Sequence, residues 1–269
     1  MPSETKASLD SATTIGKPAE WIGSDFGHRI HDQDTDTLGA ALERIAGGES
    51  VLQRFRVRRN DGGFHWVDGL GKPCVGANGD IDGLIASMRI VDGQVEAEQR
   101  LERLARFDTL TGLANRAEAI ARLELALEHP PVLGTHLGIL YCDVDDFKDI
   151  NDTWGHGIGD TVLSTLAARI VECVRPEDTV GRTGGDEILV LLPGVHSIEE
   201  AVGIAEKVRL RAAEPIQEAG NTIRTTLSIG ATIAVPGEPV SAVTARADAA
   251  MYQAKSGTKN SVIRFERPD

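Results

Sequence analysis

The order of hydrophobic and polar residues separates the chain into two halves with different patterns. In the first half, residues 36–46 place apolar side chains at helical spacing. Strand-like stretches come next, separated by Gly-containing segments typical of hairpin turns: strands at 51–59, 64–75 and 81–91, turns at 60–63 and 78–79. The pattern therefore predicts one helix followed by an antiparallel meander.

A charged helical stretch, residues 92–106, joins the two halves. Ala97, Leu101 and Leu104 are spaced four and then three residues apart, as in a short a/d seam. So short a seam does not decide between an amphipathic linker and a parallel dimer contact. Both interpretations stay open from the pattern alone.

From residue 107 onwards, helical and strand patterns alternate. The predicted helices are 115–128, 159–174, 198–212 and 241–255, and the predicted strands are 137–144, 179–182, 188–192, 225–235 and 261–265. Asn115 is a suitable N-cap, and Ser197 with Glu200 forms a capping-box pattern. The stretch 137–144 is almost continuously apolar, which indicates a strand covered on both faces. This half is predicted to be an α/β domain.

Composition narrows the class of protein. The chain has 269 residues, enough for two domains, and a net charge of −13. An acidic chain is a poor partner for nucleic acids or anionic membranes. An odd number of cysteines without CxxC spacing is typical of a reduced protein, and no apolar run approaches the roughly 20 residues of a membrane helix. We expect a cytoplasmic location and a disordered tail over the polar residues 1–14.

Two acidic clusters are candidates for metal binding. Asp143 ends the buried strand, and Asp145 and Asp146 follow it closely. Crowded carboxylates favour a bound cation, although such a cluster by itself is more often a solvated loop. The second cluster, Gly184-Gly185-Asp186-Glu187, lies at a predicted hairpin tip, where the glycines would allow a tight turn and the close approach of a ligand. It could complete a metal site begun by Asp143, or be a plain turn.

A third candidate is the Gly-rich polar stretch Asn151–Asp160, predicted to be a loop before a helix. Its Asn and Asp side chains could bind the edge of a guanine base, or simply cap and turn the chain. His156 by itself is more often an ordinary loop histidine than a catalyst. The chain has no Walker P-loop, so a nucleotide would have to be held in another way.

These clusters belong to a set of five motifs with a characteristic order and spacing. The motifs are Asp108-Thr109-Leu110-Thr111-Gly112-Leu113-Ala114-Asn115-Arg116, Asp143-Val144-Asp145-Asp146-Phe147-Lys148, Asn151–Asp160, Gly184-Gly185-Asp186-Glu187-Ile188, and Met251-Tyr252-Gln253-Ala254-Lys255 with Lys259-Asn260 after it. Together they make residues 105–269 resemble the GGDEF family of diguanylate cyclases.

The resemblance implies the fold of nucleotidyl cyclases and polymerase palms, with a central, mostly antiparallel sheet flanked by helices. It implies that two GTP condense to cyclic di-GMP at the interface of a homodimer, with Mg²⁺ or Mn²⁺ as cofactor. Implied metal ligands are Asp143, the Val144 carbonyl, Asp186 and Glu187, and the last two are also the implied catalytic residues. Implied substrate contacts are Asn151, Asp160 and His156 for guanine, the backbone near Phe147 with Lys148, Lys255 and Lys259 for the triphosphate, and Gly184 with Gly185.

The chain departs from the family pattern at a few positions. Ile188 and Trp154 stand where Phe is usual, and the stretch 255–260 has Lys where Arg is typical and a displaced Gly. Lys still neutralises phosphate but lacks the bidentate fork of Arg. Because none of these departures removes an implied metal ligand, we expect an active site.

A further motif, Arg175-Pro176-Glu177-Asp178, ends five residues short of Gly184. It resembles the RxxD inhibitory site of the family, at which the product binds. Arg175 would offer a fork to guanine and phosphate, and Asp178 would accept from the base. Taken alone, the four residues could equally be a solvated turn.

Residues 15–92 resemble a PAS sensor domain of the α+β class. The likeness is carried by three stretches: residues 27–34, 55–67 and 78–84. The first strands of such a domain should precede Ile30, where the sequence has few apolar residues, so its completeness stays open. His28, His31 and His65 could bind haem or a metal, but we favour ordinary structural roles. The predicted boundaries are thus 1–14 tail, 15–92 sensor, 93–106 helical linker and 107–269 cyclase.

Two rival functions stay open. An inactive domain of this type could serve as a receptor for cyclic di-GMP or GTP, although the presence of Asp143, Asp186 and Glu187 argues against it. A cyclase that makes cyclic GMP or a mixed dinucleotide would also need residues that bind guanine.

Overall fold

The computed structural model describes residues 26–129, 134–218, 220–235 and 237–265. The chain divides into two units, with the boundary between Leu101 and Glu102. The tail predicted for residues 1–14 lies outside the described residues. Within the described ranges, no helix has the length and apolar character that crossing a bilayer requires.

The first unit is built on a three-stranded antiparallel sheet. Its elements are two 3₁₀ turns (Phe26–Arg29 and Asp32–Asp34), α1 (Thr35–Ala46), β1 (Val51–Arg58), β2 (Phe64–Val75), β3 (Ile81–Ile90) and the start of α2 (Asp92–Arg106). The predicted helix and meander are confirmed. The pairing of β2 with β3 shifts register between Cys74 and Val75.

A small core holds this unit together, and two of its histidines have structural partners. Ile30, Val57 and Val67 are among its buried residues. His31 accepts a hydrogen bond from the Gln33 backbone N–H, and Nδ1 of the buried His65 lies 2.5 Å from Asp92 Oδ2. These contacts agree with the structural interpretation of His31 and His65.

The second unit contains a five-stranded sheet in the order β10-β9-β4-β6-β5. Its elements are α3 (Arg116–Glu128), β4 (His136–Val144), α4 (Phe147–Trp154), α5 (His156–Val171), β5 (Thr179–Gly184), β6 (Glu187–Val195), α6 (Ile198–Ala212), β7 (Ile216–Glu218), β8 (Asn221–Ile223), β9 (Leu227–Ile233), α7 (Val240–Ser256) and β10 (Val262–Arg264). All neighbours in the large sheet are antiparallel except β9 and β10. The predicted mixed fold with a mostly antiparallel central sheet is confirmed.

Helices cover both faces of this sheet. Residues of α5 and α6, such as Leu166 and Val208, belong to one core cluster, and residues of α3 and α7, such as Leu123 and Val243, belong to the other. The central strand β4 is buried as predicted. Strand β9 is buried along nearly its whole length because α7 comes so close that a side chain on Gly230 would collide with the Ala247 carbonyl.

The structure corrects the sequence analysis in two places. The stretch Asn151–Asp160, predicted to be a loop, is helical except at Gly155, whose φ of +83° separates α4 from α5. The pattern did not predict α4 because polar and Gly residues in this stretch are typical of loops. The helix is short, and Ile150 is its buried residue. The hairpin of β7 and β8 was not predicted, because strands of three residues are too short for a periodic pattern.

Candidate active site at the end of the central strands

The three candidate metal-binding carboxylates lie at one edge of the large sheet. The register of β4 and β6 pairs Asp143 with Glu187. The Val144 backbone N–H donates to the Asp186 carbonyl at 3.3 Å, which joins the end of β4 to the hairpin tip between β5 and β6. The sequence predicted this convergence, and the sheet register brings it about.

Asp143 is a buried carboxylate with like charges near it. It is only 5% exposed. Burial raises its pKa to about 6, and the nearby charges of Asp186 and Glu187 act in the same direction. A hydrogen bond from Lys255 opposes the shift. A carboxylate held this way gains from a bound cation.

Two of the lysines expected to bind the triphosphate lie at this edge. Lys255 Nζ is 2.5 Å from Asp143 Oδ1, and Lys259 Nζ is 2.5 Å from Asp146 Oδ1. Lys148 is exposed in the first turn of α4. The edge therefore combines buried negative charge with lysines that can turn towards a phosphate.

Asp145 lies in the same acidic stretch, but its carboxylate is already hydrogen-bonded to donors of the chain. Its carboxylate accepts hydrogen bonds from Thr226 Oγ1 at 2.5 Å, Ser228 Oγ at 2.7 Å and the Asn260 backbone N–H at 3.0 Å. Sequence reasoning grouped Asp145 with the possible metal ligands. Its partners give it a structural role, tying the loop after β4 to β9 and to the turn before β10.

An arginine that the sequence analysis missed holds the hairpin tip. The Arg182 guanidinium donates to the Gly185 carbonyl through Nε at 3.0 Å and Nη2 at 2.7 Å. Its Nη1 donates to both oxygens of Asp108, at 3.1 and 3.2 Å. Asp108 also accepts from the Thr111 backbone and hydroxyl. The motif that begins at Asp108 thus positions the hairpin, a role that only the spatial contact reveals.

The hairpin tip is a tight turn: β5 ends at Gly184 and β6 begins at Glu187, so two residues connect the strands. Neither Gly184 nor Gly185 has a positive φ in this turn. A side chain on Gly185 would point into open space, and one on Gly184 would lie 3.2 Å from Glu187 Oε2. Their effect is to leave room beside Asp186, which agrees with the expected approach of a ligand.

The candidate guanine residues lie where α4 meets α5. A side chain on the buried Gly159 would collide with Asn151 Oδ1, so Asn151 packs against the first turn of α5. Asp160 is the next residue and is exposed, as is His156 at the start of the helix. The structure therefore places Asn151, on α4, beside Gly159, the residue of α5 that precedes Asp160.

The residues present fit a magnesium ion. Carboxylate and carbonyl oxygens are its preferred ligands, and proteins usually offer one or two carboxylates while substrate phosphates and water complete the shell. In the part of the chain that the structure describes, no three His, Cys, Asp or Glu side chains gather into a complete cage. Asp143 and Asp186 beside an open tip match this partial type of site.

Arg175 and Asp178 lie in the turn between α5 and β5, directly before the strand that leads to the hairpin tip. The Arg175 backbone N–H donates to Asp178 Oδ2 at 2.7 Å. Its guanidinium is about half exposed and lies 3.5 Å from Glu200 Oε1. Burial raises the pKa of Asp178. Arg175 and Asp178 are thus in contact with each other, and the Arg175 guanidinium makes one long contact, to Glu200.

Known proteins resemble this chain in both halves. Residues 105–261 match the family model described as diguanylate cyclase, GGDEF domain, and residues 14–88 match the PAS fold. The diguanylate cyclase TpbB of Pseudomonas aeruginosa is 37% identical over 226 residues, which are 82% of this chain and 50% of that protein. The bifunctional diguanylate cyclase/cyclic di-GMP phosphodiesterase MucR of the same species is 37% identical over 63% of this chain and 25% of its own length.

A solved structure shares the fold of the second unit. The coiled coil and GGDEF domain of DgcB from Caulobacter crescentus, in complex with c-di-GMP, has a TM-score of 0.60 and 30% identity. The match covers 65% of this chain and 93% of that one. The chain spans between a quarter and a half of the length of TpbB and MucR. Both predicted resemblances are confirmed, and the chain belongs to the GGDEF family of diguanylate cyclases.

Proposed function

We propose that the chain is a diguanylate cyclase, which joins two GTP molecules into cyclic di-GMP and releases two pyrophosphates. The observation that carries the proposal is the convergence of Asp143, Asp186 and Glu187 at one sheet edge, beside lysines and an open hairpin tip. This is an arrangement for holding a metal and a triphosphate together.

The chemistry consists of one displacement carried out twice. The 3′-oxygen of one GTP attacks the α-phosphorus of the other, the bond to the β-phosphate breaks, and pyrophosphate leaves. Asp186 accepts the proton that the 3′-hydroxyl loses. Mg²⁺ held by Asp143, the Val144 carbonyl, Asp186 and Glu187 would neutralise phosphate charge and make that hydroxyl more acidic.

The triphosphate binds where the lysines meet the first turn of α4. Ile150 makes the first helical hydrogen bond, to the Asp146 carbonyl, so the backbone N–H groups from Phe147 to Asp149 are available to an anion. Lys148, Lys255 and Lys259 add positive charge. Gly184 and Gly185 leave space for the phosphates at the hairpin tip.

Guanine binds between α4 and α5. The Asp160 carboxylate accepts from the two N–H groups on the Watson–Crick edge, and the Asn151 amide donates to an acceptor of the base. His156, exposed at the start of α5, would lie near the base. An adenine lacks the matching donors, so the pair selects GTP over ATP.

Catalysis requires two chains, because the second unit of each chain holds one GTP and the product is symmetric. Leu101 and Leu104 support such pairing: both are exposed on α2, at 67% and 47%. An apolar seam of this kind is suited to a second copy of the same helix.

The decisive test is to incubate purified protein with Mg²⁺ and either GTP or ATP and to identify the products by mass spectrometry. We expect cyclic di-GMP from GTP alone. The matched control is Asp186→Asn, which keeps the size of the side chain but removes its charge, and which should abolish the product. Cyclic GMP would indicate a different cyclase, and nucleotide binding without turnover would indicate a receptor.

Product inhibition through Arg175 and Asp178 is the regulatory part of the proposal. Cyclic di-GMP bound there would hold two units with their active sites apart, through the Arg175 fork on guanine and phosphate. Arg175→Ala should keep the initial rate and give a linear progress curve to higher product levels. An unchanged sensitivity of this variant to added cyclic di-GMP would refute the inhibitory role.

A further inference from the structure

We infer that Tyr141 is a positioning residue for Glu187, oriented in turn by Thr183; the inference rests on the proposed function. The Tyr141 hydroxyl donates to Glu187 Oε2 at 3.1 Å. The Thr183 hydroxyl donates to the Tyr141 oxygen at 3.2 Å. Neither residue has been assigned a role in the motifs above. Tyr141 contacts the side chain of a proposed metal ligand, and Thr183 contacts Tyr141.

The sheet explains why these side chains meet. Tyr141 lies two residues before Asp143 on β4, so both side chains project from the same face. Glu187 is the partner of Asp143 across the β4–β6 ladder. Thr183 precedes the hairpin tip on β5 and is buried. The register of β4 and β6 thus explains the position of Tyr141, and a register shift of the β5–β6 ladder between Arg182 and Gly184 accompanies the position of Thr183.

The hydrogen bonds have one direction. Because a carboxylate oxygen accepts hydrogen bonds and does not donate them, the Tyr141 hydroxyl proton points at Glu187 Oε2. The Thr183 hydroxyl has two acceptors within reach, the Tyr141 oxygen at 3.2 Å and the Glu187 backbone carbonyl at 3.5 Å, and the Tyr141 oxygen is the nearer. Glu187 Oε2 is thereby occupied, and the other oxygen remains for the metal.

A flexible glutamate needs such support at this position. Its side chain has several rotatable bonds, and the neighbouring charge of Asp143 repels it. A hydrogen bond from a half-buried tyrosine on a central strand holds one carboxylate oxygen in place. Ligands held by a second set of contacts bind metal more tightly than ligands that must be ordered on binding.

Two conservative variants remove only the hydroxyls, namely Tyr141→Phe and Thr183→Val. The matched control is Tyr252→Phe, which changes the only other tyrosine of the chain, at a position that is 68% exposed. The readout is Mn²⁺ affinity in the presence of a non-hydrolysable GTP analogue, followed by electron paramagnetic resonance of free Mn²⁺. Melting temperatures verify that each variant is folded.

We expect Tyr141→Phe to weaken Mn²⁺ binding about tenfold, the size of one hydrogen bond to a charged carboxylate. Thr183→Val should weaken it less, and the double variant should bind as Tyr141→Phe does, because Thr183 acts through Tyr141. Tyr252→Phe should match the wild type.

Wild-type Mn²⁺ affinity in Tyr141→Phe overturns the inference, and so does an equal loss in Tyr252→Phe. If Tyr141→Phe does not fold, Thr183→Val decides by the same measurement. Turnover of GTP separates this inference from the proposed function. A wild-type protein that binds Mn²⁺ but makes no cyclic di-GMP contradicts the function, while the affinities of the variants still decide the role of Tyr141.

Discussion

Asp143 and Asp145 stand two residues apart, are 5% and 3% exposed, and yet occupy opposite electrostatic situations. Asp145 accepts hydrogen bonds from two hydroxyls and a backbone N–H, all supplied by its own chain. Asp143 has Lys255 as its donor and faces two further carboxylates. Fixed protein dipoles stabilise the charge of Asp145, whereas the charge of Asp143 has a lysine as its donor and would gain from the proposed metal ion.

The difference teaches that burial alone does not identify a metal ligand. A buried carboxylate is costly unless it is paired, and the kind of partner shows what the site is for. Donors from three separate residues fix Asp145 in one geometry. Under the proposed function, the long side chain of Lys255 would leave Asp143 when a metal and phosphates bind. The two positions should therefore respond in opposite ways to removal of their charge.

The largest effect is expected for Asp143→Asn. Turnover should fall at least about 100-fold, because a charged ligand of the metal is lost while the size of the side chain is kept. In the presence of a chelator the variant should be as stable as the wild type or more stable, because a buried charge among like charges is gone. The measurements are initial rates and melting curves with and without Mn²⁺.

Addition of Mn²⁺ provides the control. A ligand that binds only the folded state raises the melting temperature, so the wild type should respond to the metal and Asp143→Asn should not. Near wild-type turnover in the variant would show that the comparison assigns the wrong aspartate to the metal.

Asp145→Ala should show the reverse pattern, with a loss of stability as the primary effect. Its three donors would be left without an acceptor, which should lower the free energy of unfolding by about 3 kcal/mol. Asp145→Asn keeps the size and one acceptor oxygen and should lose less. Urea unfolding measures both. A destabilisation no larger than that of Asp143→Asn would remove the distinction between the two positions.

The same contrast explains what could be predicted from the sequence. The central apolar strand, the meander and the edge where Asp143 meets the hairpin follow from local periodicity and from motif spacing. The role of Asp145 does not, because Thr226 and Ser228 are 81 and 83 residues away in the chain. The sequence near Asp145 does not distinguish a buried aspartate with hydrogen-bond donors around it from an aspartate in an exposed acidic loop.

Arg182 and α4 show the same limit in other forms. The contact of Arg182 with Asp108 spans 74 residues, and neither side chain alone indicates it. The sequence of α4 predicts a loop because Asn and Asp are common in turns, whereas the structure shows a helix with Ile150 buried. The roles of the metal-binding, catalytic, guanine, phosphate and inhibitory residues, and the domain boundaries, stay predictions.

Glu118 on α3 extends the comparison to a third carboxylate. It forms salt bridges with two arginines and lies outside the candidate active site. It accepts from Arg106 Nη2 at 2.8 Å and from Arg122 Nε at 2.7 Å. These hydrogen bonds, with that of Arg106 the larger, lower its pKa to about 2. Because both arginines are partly exposed, solvent screening reduces the gain to about 1 kcal/mol.

Glu118→Gln should therefore cost about 1 kcal/mol of unfolding free energy at pH 7. A carboxylate whose pKa is lower in the folded state contributes its full stabilisation above the unfolded pKa near 4.5 and loses it as the pH falls towards 2. The difference between wild type and variant should thus shrink between pH 4.5 and pH 2.5 in urea unfolding. The matched control is Glu124→Gln, which changes an exposed residue of the same helix and should be neutral throughout. A difference that persists unchanged at the lowest pH, or that the control reproduces, would mean that the arginines do not stabilise the charged form of Glu118.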